Sequence, residues 1–160
     1  MGQKGKLLDE ILILATVRSL LVVVVCLSSI SEVNPNVFSS AGETPLMAAA
    51  QFSDVPIMIA LLAHRDIDPN LCNKGGDTAL RLAFEFGKVD AINLLVQWED
   101  VDINIPDGSM ITSLMRAAMT LYDPNGDWME GDTVGLILSR KDVKVNMVDT
   151  FGRTDRKSVV

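Results

Sequence analysis

Histidine is almost missing from this chain. His64 stands alone, which removes most catalytic triads and every histidine-rich metal site at once. Cysteine is scarce too. Cys26 and Cys72 show neither metal-ligand spacing nor a disulfide framework. They read as two small buried thiols, or as one buried and one in a loop, in a reducing compartment. Positive charge is short: Lys and Arg number 14 against 21 Asp and Glu, for a formal charge of −7. Such a surface repels phosphate backbones and anionic lipid heads, so no nucleic-acid partner is expected. No glycine-rich phosphate loop is present, and neither a cofactor nor a metal is expected. His64 has no nucleophile in register with it and sits where a helix ends, a common place for histidine beside the helix dipole. The chain is therefore read as not an enzyme. Asp123, Asn125 and Asp127 alternate like the start of a calcium loop. Its glycine position holds Trp128, and its final glutamate position holds Val134.

What is present is a period. Thr44, Thr78 and Thr112 are 34 residues apart, as are Leu46, Leu80 and Leu114, Ala49, Ala83 and Ala117, and Asn36, Asn70 and Asn104. Background composition matches one column three ways only about once in a few hundred columns. Several matches in one register mark a solenoid of stacked units. Each of the three clear units opens with a capping threonine, followed in the best copy by Pro45 in the first helical turn. Leu46, Ala49 and Ala50 form a narrow apolar face. Ser53 and Asp54 break the chain, and Pro56 starts a second helix with Ile57, Met58, Leu61 and Leu62 as its core stripe.

Residues 11–30 are apolar over a length that could span a bilayer. Arg18 near the middle opposes a membrane or signal segment. The repeat register maps Leu12, Ala15, Leu27 and Asn36 onto Leu46, Ala49, Leu61 and Asn70, and places Arg18 and Ser19 in the turn between two helices. A degenerate first repeat is the expectation, with a membrane tether through residues 11–30 as the alternative. Val22–Val25 is a poor helix former, which keeps that alternative open.

The opening pattern Gly42-Glu43-Thr44-Pro45-Leu46-Met47-Ala48-Ala49-Ala50, echoed by Gly76-Asp77-Thr78-Ala79-Leu80 and on to Ala83, resembles the ankyrin repeat. Leu61-Leu62 through Asn70 is similar to that family's closing pattern. The resemblance implies an all-α repeat solenoid: an ankyrin-like stack of helix-turn-helix units with β-turn or hairpin fingers. The units fall at about 8–41, 42–75, 76–109 and 110–151 within a domain at 8–154. Residues 1–7 read as a flexible N-terminus, 147–154 as a truncated last finger and 155–160 as a tail. An eight-residue insertion lies within 121–132, because Asn146 follows Asn104 by 42 residues. Trp128 there either caps the stack or contacts a partner. An uncapped last unit would expose Ile137 and Leu138 and favour self-association. The tail Ser158-Val159-Val160 fits a PDZ ligand, though a truncated chain accounts for it more simply.

Two departures stand out. The family's histidine is replaced by Met47, Arg81 and Met115, so its turn hydrogen bonds should be missing. The finger glycine reads Met110 in the third unit, which puts that turn in doubt. The resemblance further implies a non-catalytic, protein-protein interaction module, a scaffold or adaptor binding neutral or basic protein partners through its finger tips and inner-helix face. Carried over column by column, the partner-binding positions are Ser40, Ala41, Glu43, Gln51 and Phe52, then Lys74, Asp77, Glu85 and Phe86. Ser109, Ile111, Met119 and Phe151 complete the set. Phe52 and Phe86 are either anchors for a partner or rings packed on the adjacent unit's turn. The expected compartment is cytoplasmic or nuclear.

Overall fold

Three of the four units begin where a threonine side chain meets free helical amides. Thr44 and Thr78 adopt extended backbone, and their hydroxyls accept the N–H of Met47 and Arg81 at 3.3 and 3.2 Å. Thr112 does the same for Met115 at 3.3 Å. A computed structural model describes residues 2–120 and 133–154. Among these are eight helices in four pairs: α1 (Gly2–Val17) with α2 (Leu21–Ser28), α3 (Pro45–Phe52) with α4 (Val55–Leu62), α5 (Ala79–Glu85) with α6 (Val89–Gln97), and α7 (Ser113–Thr120) with α8 (Thr133–Ser139). The first members stack on one another as an inner layer, α1 on α3 on α5 on α7. The second members stack as an outer layer. This is the all-α repeat stack that the period predicts.

The core lies between the layers. Leu12, Leu46, Leu80 and Leu114 are buried on the inner side, and Leu27, Leu61, Leu95 and Ile137 on the outer side. Burying one such side chain contributes roughly 1.5–3 kcal/mol. Ala15, Ala49, Ala83 and Ala117 share one buried column. Their small side chains fit a narrow gap between neighbouring helices.

The apolar run at 11–30 is two helices, with Arg18 and Ser19 in the turn. Ser19 takes φ 54°, matching Ser53 at 57° and Gly87 at 62° at the same point of the next two units. Among the described residues no helix is long and apolar enough to cross a membrane. Valines 22–25 are helical despite their stiff side chains, because Val24 and Leu27 are buried against the stack. The N-terminal boundary differs from expectation. Residues 2–7, read as flexible, belong to α1. Its apolar residues bring the helix onto the first unit, where Leu8 packs against the core.

The asparagine column turns out to be a clamp between units. Asn36 Nδ2 donates to the carbonyl of Asp66 and its Oδ1 accepts the N–H of Asp68. Asn70 repeats this with Asp100 and Asp102, and Asn104 with Asp142 and Lys144. Each side chain thus satisfies one donor and one acceptor of the next unit's loop. At the first unit the equivalent donor, Asn34 N–H, is taken by Asp9 Oδ1 at 2.8 Å.

Three further expectations are corrected. Cys26 and Cys72 are both free and exposed: Cys26 lies off the Val24–Leu27 buried face, and Cys72 sits on a finger. Ile137 is fully buried, so the last described pair exposes Leu138 but not the stripe as a whole. The missing histidine bond is partly replaced, since Thr44 N–H meets Met47 Sδ at 3.4 Å. The insertion at 121–132, with Asp123, Asn125, Asp127 and Trp128, and the tail at 155–160 lie outside the described residues.

Candidate functional site

Four fingers line one edge of the stack, each closed by the same pair of backbone bonds. The N–H groups of Ser39, Asn73, Asp107 and Asp149 donate to the carbonyls of Glu43, Asp77, Ile111 and Arg153 at 2.9–3.0 Å. The closing turn needs a left-handed residue, supplied by Gly42, Gly76, Met110 and Gly152. Met110 does form this turn, at φ 60°. The doubt about the third finger is thereby corrected: its hydrogen bonds outweigh the steric cost of a side chain there, about 1–2 kcal/mol.

Those bonds come largely from a column that the repeat pattern left unnoticed. Asn73 Oδ1 accepts the N–H groups of Gly75 and Asp77 at 2.8 and 2.9 Å. Asp107 Oδ1 accepts those of Ser109 and Ile111, and Asp149 Oδ1 those of Phe151 and Arg153. Ser39 Oγ holds Glu43 N–H at 3.2 Å. An Asx residue two positions before three of the four tips, with Ser39 at the first, was the available signal.

Asp107 also joins two units. Its buried Oδ2 meets Arg81 Nε at 3.1 Å and Arg116 Nη2 at 2.6 Å. Arg81 in turn reaches Glu85 at 2.8 Å and lies 3.7 Å from Asp77. Burial pushes the Asp107 carboxyl upward. The amides of Ile111 and Ser109 and the two guanidinium groups outweigh it and hold the group below the usual carboxylate range. Asp149 follows the same logic: burial raises its pKa, while the Arg153 and Phe151 amides and the Arg153 guanidinium bring it below the ordinary value. Arg81, in the family's histidine column, is thus the centre of the polar network.

The expected partner-binding residues divide by environment. Ser40, Ala41, Lys74 and Ser109 are exposed at the tips. The tips themselves are tightly stacked. A Cβ at Gly108 would lie 3.5 Å from the Gly75 carbonyl, one at Gly42 would lie 3.3 Å from Lys74 Cγ, and Thr150 N–H reaches Ser109 O at 3.3 Å. Small tip residues therefore serve packing between fingers as well as display. Glu43 and Gln51 are brought together, Gln51 Nε2 donating to Glu43 Oε1 at 2.7 Å. Asp77 and Glu85 flank Arg81. Ile111 and Met119 are half-buried. Phe52 and Phe86 stand at the C-terminal ends of α3 and α5, 62% and 47% exposed. Phe151 is exposed, with the Arg153 guanidinium 5.0 Å from its ring centre.

Phe38 was not anticipated. It is exposed and separates two grooves of the finger edge. One, about 380 Å³, runs between α1 and the first finger past Lys6, Asp9, Glu10 and Ile13. The other, about 310 Å³, lies toward Cys72, Asn73 and Lys74. Phe38, Cys72, Pro106 and Val148 occupy one column, so aromatic and small apolar groups alternate with polar tips along this edge. His64 is away from it: its Nδ1 accepts Asp66 N–H at 3.1 Å and closes the turn after α4.

No curated protein matches the chain significantly. The family model described as ankyrin repeats (3 copies) matches residues 12–107, more than half of the chain and starting inside the apolar run. The period, the threonine-capped helix pairs, the asparagine clamps and this match agree, and the chain belongs to the ankyrin repeat family.

Proposed function

We propose that this chain is a non-catalytic adaptor that captures a protein partner along its finger edge and inner-helix face, with Phe52 and Phe86 as the apolar anchors. Ankyrin repeats generally bind proteins. The observation that carries the finer reading is the exposure of these two rings, one repeat apart, at the ends of successive inner helices. Aromatic rings, phenylalanine among them, are enriched at protein interfaces relative to the rest of the surface. The fingers and helices around them are tied by side-chain bonds, so little ordering is required on association. The negative overall charge favours a neutral or basic partner. We assign the module to the cytoplasm or nucleus, in keeping with two unpaired, exposed thiols.

The test is capture from cell lysate by the tagged chain, followed by mass spectrometry, with Phe52→Ala/Phe86→Ala as comparison. Partners retained by the native chain should be depleted more than tenfold on the double variant, at unchanged circular dichroism. Equal recovery by both would refute the assignment of the two rings.

A further inference from the structure

Exposed large apolar residues are not spread evenly over this molecule. Residues 7–25 hold as many of them as the rest of the described chain together. Leu7, Ile11 and Leu14 line one side of α1, and Val23 extends the patch onto α2. The repeat register explains what this face is. Leu14 is 53% exposed, whereas its counterparts one and two units later, Ala48 and Leu82, are 7% and 5% exposed. The columns of Ile11 and Val23 behave alike: Pro45 and Ala79, and Ile57 and Ala91, are buried. These columns are covered in both of the next two units. The first unit thus presents an inter-unit packing surface with nothing on it.

We infer that a second copy of this chain covers it, through a two-fold interface in which α1 of each copy crosses the other antiparallel about Leu14. Three observations select that occupant. First, it is not another repeat: the docking point for a preceding unit's asparagine, Asn34 N–H, is already filled by Asp9. Second, the apolar line is flanked by Glu10 and Arg18, both exposed and neither in an ion pair among the described residues. They lie four residues to either side of Leu14. An antiparallel crossing at Leu14 sets each Glu10 beside the other copy's Arg18 and each Ile11 beside the other copy's Val17. A two-fold interface must be self-complementary, and this face is. Third, a net charge of −7 opposes an anionic lipid surface.

The experiment is light scattering and sedimentation equilibrium of the full chain from low to high micromolar concentration. The expected species has twice the 17.4 kDa chain mass, and Leu14→Glu leaves a monomer with an unchanged helical spectrum. Glu10→Lys and Arg18→Glu each place two like-charged pairs across the interface and should weaken self-association about tenfold. Mixing the two variants restores opposite charges at both pairs and should recover the native dissociation constant. A monomer at every concentration, a dimer indifferent to Leu14→Glu, or a mixture no tighter than its parts would each overturn the inference. So would binding to neutral phosphatidylcholine vesicles by a chain that stays monomeric, which would assign the face to a lipid surface.

Discussion

Asp107 shows how much one side chain can decide in a repeat protein. One oxygen shapes the third finger by accepting two amides, while the other draws Arg81 and Arg116 together across two units. Asp107→Asn keeps the amide acceptor and removes the charge, so the finger should persist while stability falls by about 1–3 kcal/mol in urea titration. Asp107→Ala, losing both, should cost more. The sign of the pH dependence follows from the depressed carboxyl. Its contribution is complete above the unfolded value near 3.8 and is lost as pH falls through the lower folded value. Acid unfolding of the native chain below about pH 4 should therefore be steeper than that of Asp107→Asn. Met110 makes the opposite case. Its left-handed backbone is one that glycine adopts freely, so Met110→Gly should raise the melting temperature, corresponding to about 0.5–1.5 kcal/mol. The sequence showed the glycine column and its exception. It did not show that the turn closes regardless, because finger bonds and side-chain sterics compete at similar magnitude.

At the scale of the elements, helix pairs are joined by side chains rather than by helix propensity. The helices of α3 to α8 run seven to nine residues, too short to persist alone in water. Packing and clamps between units hold them. Asn70→Ala removes the bonds to the Asp100 carbonyl and Asp102 N–H together and should destabilise the fold by about 2 kcal/mol, with the loop at 99–102 losing hydrogen-exchange protection first. Arg140 adds a link of the same kind: its guanidinium donates to the carbonyls of Val96 in the last turn of α6 and of Trp98 and Val101 beyond it. The asparagine column was visible as a recurrence, but its partners lie 30 to 40 residues downstream, and spacing alone does not say which atoms meet. Val22–Val25 is a case of local preference overruled, since burial of Val24 and Leu27 exceeds the propensity loss of a valine run.

For the whole molecule, stability should vary along the stack. Central units have neighbours on both sides and the first has one. Native-state hydrogen exchange should therefore find the slowest amides in α4 to α6, with α1 and α2 opening at lower free energy. Equal protection across all pairs would mean that the stack unfolds as one block. Dimerisation through α1 would shift this pattern with concentration, slowing α1 and α2 selectively as the chain is concentrated. The two surfaces of the molecule are distinct in chemistry. The finger edge mixes aromatic rings with paired charges, whereas the N-terminal face is apolar with a single acid and base beside it.

The repeat period by itself determined the architecture. Threonine caps, leucine and alanine columns and the break at Arg18-Ser19 are local signals, recurring because each unit must bury the same stripe. What remained for the tertiary structure were relations between units: the asparagine clamps, the Arg81–Asp107–Arg116 network, the stacked glycine tips, the exposed thiols and the bare face of α1. Each depends on groups distant in sequence that meet only when one unit is laid on the next. A period states that the units stack, and only the stacked molecule shows which surfaces are used up by stacking and which are left for a partner.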